Sequence, residues 1–124
     1  ASDKRRYYMA CKNCGSLTDW DWEDMQKAEE PPYRCHLICP ECETRHSEAD
    51  KPDMVSVDSG ACWIPTAPDA DGVLPPKTIK PRQIKRWRRR ETGRFVRGYH
   101  ITGVINTFDR WDMIAEAEAN AGDV

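Results

Sequence analysis

Two Cys-x-x-Cys pairs 28 positions apart, one dense run of Lys and Arg, and an amphipathic C-terminal segment predict a small α+β protein. The architecture expected is a β-rich zinc ribbon closed by four cysteines, then a basic loop or helix, then a strand–helix unit. The expected division is 1–66 for the ribbon, 67–93 for the loop and basic segment, and 94–124 for the strand–helix unit. A length of 124 residues is room for one domain with an appendage. Only 39% of the chain is hydrophobic and 32% is charged, so the core must be small, and small cores need a staple.

The staple is legible in "CKNCG" at 11–15 and "CPECE" at 39–43. Cys-x-x-Cys is a poor loop for a structural disulfide, whereas its two thiolates can point at one tetrahedral ion. Gly15 suits a knuckle, where the backbone turns tightly enough for N–H groups to face the sulfurs. Pro40 presets one turn dihedral in the second pair. Cys11, Cys14, Cys39 and Cys42 are therefore the expected ligands of one structural Zn²⁺, with no open position for water or substrate. Two alternatives stay open: disulfides, and a single iron held as in a rubredoxin-like electron carrier. The charged and polar surroundings favour zinc. Cys35, His36, His46 and Cys62 are a further candidate set for a second metal, with Cys35 and Tyr33 expected on the strand entering the second knuckle.

The elements follow in order. "RRYYMA" reads as a strand entering the first knuckle and "SLTDWDW" as the strand leaving it. "WEDMQKAEE" has the look of a helical turn that Pro31 and Pro32 stop. "YRCHLI" is the next strand. Ser47 and Asp50 stand at capping-box spacing, Pro52 fits a first helical turn, and Gly60 ends that segment. "ACWIPTAP" returns as a strand, and "DADGVLPP" is a loop. "QIKRWRRR" is expected to be helical. "GRFVRGYHITGV" alternates as a strand, with Phe95, Tyr99 and Ile101 on one parity. A last helix is expected in "NTFDRWDMIAEAEANAGD", capped by Asn106 or Thr107 and ended by Gly122, with Phe108, Trp111, Ile114 and Ala115 apolar. The tryptophans are expected to be core or cover for the ribbon. Trp87, surrounded by arginines, is the one placed to stack on a base, and His100 is expected to be structural.

The net charge of −2 conceals a polarity. Residues 77–97 hold ten Lys or Arg against the single Glu91, a net of +9, and the rest of the chain sums to −11. Lys77, Lys80, Arg82, Lys85, Arg86, Arg88, Arg89 and Arg90 are the candidate contacts to DNA phosphates. A fold-back of this run onto "DWDWED" is the structural alternative, and a protein partner is another. Asp19, Asp21, Glu23 and Asp24 read as a solvated acidic turn.

In their order, "SDKRRYYMACKNCG", "YRCHLICPECE", "SEADKPDMVSVDSGACWIP" and "VRGYHITGVINTFDRWDMIAEAEANAGD" resemble large terminase subunits of the phage lambda type. The likeness is to the segment between the ATPase core and the nuclease domain. It covers most of residues 2–123, with departures at Cys35-His36, in the spacing of Gly60 from Trp63, and at "INTFDRW". The resemblance implies a parent in which ATP hydrolysis drives double-stranded DNA into a procapsid and a nuclease cuts the concatemer. It implies the infected bacterial host's cytoplasm as the setting. Its expected partners are double-stranded DNA, the ATPase and nuclease domains of the parent chain, and the small terminase subunit or portal.

No P-loop motif occurs, no acidic cluster is assignable to a two-metal nuclease, and no catalytic residue is assigned. The missing initiator Met and the charged opening "ASDKRRYY" predict a fragment. Its expected work is to brace the motor–nuclease junction and to offer a basic surface. Two other classes compete: a free-standing zinc-ribbon nucleic-acid-binding accessory protein, and the rubredoxin-like carrier.

Overall fold

Strand β1 (Arg5–Ala10) organises the molecule because its side chains alternate between two cores. In the computed structural model, which describes residues 2–93, 96–100, 104 and 111–121, Tyr7 and Met9 face one core while Tyr8 and Ala10 face the other. The chain is a small mixed α+β fold built on two sheets. The first runs in the order β6 (Cys62–Pro65), β1, β2 (Leu17–Thr18), β7 (Thr78–Ile79), with β8 (Tyr99–His100) paired parallel to β1. The second runs β3 (Gln26–Lys27), β4 (Cys35–Ile38), β5 (Arg45–Ser47).

One core gathers Met9, Trp20, Met25, Leu37 and Met54 with Trp111 and Ala115 of the last helix. The other gathers Tyr8, Leu17, Ile64, Ile79 and Trp87. Hydroxyl groups fasten β1 to two later segments of the chain. Tyr7 Oη donates to the carbonyl of Val55 at 2.5 Å, and Tyr8 Oη to that of Pro76 at 2.9 Å.

Helix α1 (Lys51–Val55) lies between two 3₁₀ turns, Glu48–Asp50 and Val57–Ser59, so the expected single helix is three short pieces. The segment starts as expected: before the first 3₁₀ turn the Asp50 carboxylate accepts from the Ser47 amide at 2.8 Å, and Pro52 sits in the first turn of α1. Gly60 ends the segment at φ 102°, where a Cβ would be strained. Helix α2 (Ile84–Arg88) forms within the basic run, behind a 3₁₀ turn Pro81–Gln83. The final helix α3 (Trp111–Ala121) buries Trp111 and Ala115, and the Glu48 carboxylate accepts from the Trp111 amide at 2.7 Å.

Three expectations need correction. Of "GRFVRGYHITGV", the described residues form a strand only at Tyr99–His100, and Val104 lies in a turn. The strand leaving the first knuckle stops at Thr18, because Asp19 and Asp21 turn back to meet Arg6. "WEDMQKAEE" is a 3₁₀ turn Trp22–Asp24 followed by β3, whose Gln26 and Lys27 pair with His36 and Cys35, so strand pairing prevails over local helix propensity. Phe95, Ile101, Asn106, Thr107, Phe108 and Gly122 lie outside the described residues. No helix among those described is long and apolar enough to cross a membrane.

Candidate metal centre

The two knuckles are copies of one turn. In the first, the Cys11 amide donates to the Ser16 carbonyl and the Gly15 amide to the Cys11 carbonyl, at 2.9 and 3.0 Å. In the second, the Cys39 amide donates to Thr44 and the Glu43 amide to Cys39, at 3.0 and 2.9 Å. The leading cysteine of each pair then receives backbone N–H groups from inside its own turn. Asn13 and Cys14 serve Cys11, and Glu41 and Cys42 serve Cys39. Such amides point positive dipoles at sulfur, which favours thiolate over thiol.

The turns face each other so that all four sulfurs lie within 4.8 Å of one another. Cys11 Sγ is 3.6 Å from Cys42 Sγ, and Cys14 Sγ is 3.7 Å from Cys39 Sγ. A tetrahedral ion bonded to sulfur at about 2.3 Å needs edges of about 3.8 Å, so the spacing fits a metal and is far too long for disulfides. All six cysteines are free thiols. Without a cation the set is electrostatically awkward. Burial pushes the Cys39 thiol up to about 12, while hydrogen bonds from Thr44 draw Cys42 down to about 6. A bound divalent ion would hold all four as thiolates. Tetrahedral four-sulfur donor sets suit zinc and iron alike. With four protein ligands the centre is closed, so its chemistry would be structural.

The second candidate set is not brought together. Among the described residues, the four knuckle cysteines are the one group able to hold a metal. Cys35 packs in the Met9 core, with Sγ 3.3 Å from the Tyr33 carbonyl, while Cys62 packs against the Tyr8 core. Burial raises both of these thiols. His46 is wholly buried on β5, and neither ring nitrogen has a hydrogen-bond partner. Tyr33 precedes β4 and has φ 54°, so it stands outside the strand.

The basic run is divided by its surroundings. Lys77 Nζ pairs with Asp24 at 2.6 Å, a partial form of the fold-back onto the acidic turn. Arg90 is a structural clamp. Its Nη1 donates to Val73 O at 2.6 Å, and its Nη2 to Pro65 O at 2.8 Å and Ala67 O at 2.6 Å. Trp87 is core, 9% exposed, and so presents no face to a base. The guanidinium groups of Arg86 and Arg90 sit 5.2 and 5.6 Å from its ring. Gln83, Ile84, Trp87 and Arg90 form the inward face, and Lys80, Arg82, Lys85, Arg86, Arg88 and Arg89 are exposed. That inward spacing is helical, and it was the available signal for Trp87.

The acidic turn is neutralised more than solvated. Arg6 Nε lies 2.8 Å from Asp19, its Nη2 meets Asp21, and burial pushes the Asp19 carboxyl up against the pull of Arg6. His100, expected to be structural, is exposed on β8.

Fold and site together define a ribbon-type domain with a four-cysteine centre able to hold a metal ion. The family of the phage terminase large subunit gpA, ATPase domain, matches residues 1–63, which span both knuckles and reach Trp63. The chain belongs to that family, whose members are parts of a phage DNA-packaging machine. No curated protein and no solved structure matches it.

Proposed function

We propose that this chain is the zinc-bound middle segment of a terminase large subunit. In this reading, one Zn²⁺ on Cys11, Cys14, Cys39 and Cys42 holds residues 1–66 as a ribbon. Residues 67–93 carry a basic surface, and residues 94–124 lead toward the nuclease domain. The segment braces the junction between motor and nuclease and offers its cations to the phosphates of double-stranded DNA or to a packaging partner.

One observation carries most weight. The basic run is fastened to the ribbon, with Ile79 paired to Leu17 across β7 and β2 and Trp87 buried beside Tyr8 and Ile64. A solvated linker would need neither. Anchoring one face of the run leaves Lys85, Arg86, Arg88 and Arg89 displayed on a rigid support, the arrangement that phosphate contacts without base reading require. Titration of the chain with duplexes of unrelated sequence tests the reading. Equal, salt-sensitive affinity for all of them supports it; no binding at low salt returns the run to a protein partner.

A further inference from the structure

We propose that Lys80 and Arg82 are charge partners of the four-cysteine centre, covering its solvent side and slowing loss of its metal. The inference rests on the metal reading above, and it separates these two cations from the rest of the basic run.

The two outer cysteines, Cys14 and Cys42, are half-buried, whereas Cys11 and Cys39 are buried. Cys14 and Cys42 open onto one recess of about 490 Å³, whose walls also include Ser16, Glu41, Lys80, Pro81 and Arg82. A divalent ion on four thiolates leaves a net charge of −2, and Glu41 adds another negative charge beside it. Lys80 and Arg82 are the cations on that wall. Among the described residues neither forms a salt bridge within the chain. Lys12, the cation of the first knuckle, is committed to Asp50 at 2.6 Å.

Their placement is built into the fold. Ile79, one residue before Lys80, is fully buried and paired with Leu17, which leads back to the first knuckle. Pro81 then lies against the knuckle itself, its Cγ 3.7 Å from where a Cβ on Gly15 would stand. With Ile79 and Pro81 both seated, the exposed Lys80 and Arg82 that flank Pro81 line the recess onto which Cys14 and Cys42 open. Outer-shell groups that hydrogen-bond metal ligands commonly change metal affinity by about 10–100-fold, and cations acting through charge alone belong at the lower end of that range.

The test loads the full chain with Zn²⁺, measures metal content, and follows release to a chromophoric chelator at low and high salt. The Lys80→Gln/Arg82→Gln variant should release zinc about tenfold faster at low salt. Wild-type release should quicken with salt, which screens the two cations, while the variant stays nearly flat. Lys85→Gln/Arg86→Gln, an equal loss of charge farther along the run, should release at the wild-type rate. The Co²⁺-substituted absorption of each variant reports whether the tetrahedral centre is intact. Zinc-loaded protein with equal release in wild type and Lys80→Gln/Arg82→Gln overturns this inference alone, as does equal acceleration in the control pair. A chain that binds no metal overturns the inference together with the reading of the centre.

Discussion

Gly15 and Glu43 occupy the same place in two copies of one turn, and both take a positive φ, 76° and 61°. Each follows the second cysteine of its pair, and each donates its amide to the carbonyl of the first. Only one copy has the residue that such a backbone prefers. A Cβ in the left-handed region costs roughly 1–2 kcal/mol, and Glu43 bears that cost where Gly15 does not.

Opposite stability changes are expected from exchanging residue types at these two positions. Gly15→Ala should destabilise by about 1–2 kcal/mol, since its backbone is strained although the nearest atom leaves room for a methyl group. Glu43→Gly should stabilise by about 0.5–1 kcal/mol, the relieved strain less the extra freedom of the unfolded chain. Denaturant midpoints of the metal-loaded variants check this. Two shifts of the same sign would show that the knuckles are not equivalent.

Metal content should be one zinc per chain, and folding of the ribbon should depend on it. Structural zinc is worth on the order of 10–16 kcal/mol in small domains, comparable to or larger than the whole stability of a domain this size. Cys39→Ser should therefore lose metal and cooperative unfolding together. Cys62→Ser should keep both, because that thiol packs at the edge of the Tyr8 core, away from the sulfur cluster. Metal analysis with thermal unfolding separates the outcomes, and visible thiolate-to-iron absorption would reassign the ion.

Acid should weaken the fold through His46. Its imidazole is fully buried without a hydrogen bond, and burial lowers its proton affinity, with Lys12 reinforcing the effect and Asp50 opposing it. The neutral ring is thus favoured in the folded state. Stability from this source is complete above the unfolded pKa of about 6.5 and declines as pH falls from there toward the lower folded value. In excess zinc, wild type should lose more stability between pH 7.5 and 5.5 than His46→Leu does. Equal losses in the two proteins would assign the acid sensitivity to the thiolates instead.

Arg90 should behave as a folding residue, although it ends a run of arginines. Three backbone carbonyls accept from its guanidinium, tying Val73, Pro65 and Ala67 to the end of α2. Charge-assisted hydrogen bonds left unmade inside the fold place the cost of Arg90→Gln at about 2–3 kcal/mol. Arg89→Gln, exposed next door, should cost less than about 0.5 kcal/mol. Urea unfolding of the two variants makes the comparison, and similar midpoints would count against the clamp.

The knuckles were legible because the spacing of two thiols is already chemistry, and β1, β4 and β6 follow from the apolar runs that join it. The Ser47–Asp50 box and Gly60 were legible for the same local reason. What misled was neighbourhood in sequence. Trp87 stands among arginines in the chain but among Tyr8, Ile64 and Ile79 in space, and only the inward spacing shared with Ile84 and Arg90 hints at it. Lys77 and Arg90 count as cations in any composition, yet Asp24 and three carbonyls occupy them. Gln26 and Lys27 carry no apolar alternation, since both are exposed, so nothing local announced β3. Long-range partners decided each of these, and a linear reading does not contain them.

Binding to duplex DNA should therefore be carried by fewer cations than the run contains. With Lys77 paired, Arg90 clamped, and Lys80 and Arg82 lining the recess beside Cys14 and Cys42, Lys85, Arg86, Arg88 and Arg89 remain exposed for phosphates. At about 0.9 released counterions per phosphate, four contacts give a log–log salt slope of roughly −3 to −4. All duplex sequences should bind alike, because Trp87, the aromatic among these four cations, is buried and phosphate contacts carry no base information. Replacing the four with Gln should flatten the slope while leaving metal content and thermal unfolding near wild type, since none of the four side chains makes a hydrogen bond or salt bridge among the described residues. Arg86 does lie over the Trp87 ring, so a small stability loss from that one change is expected. Titrations at several salt concentrations decide the matter: a slope unaltered by the fourfold change, on protein that is folded and metal-loaded, would move the contact surface elsewhere on the ribbon.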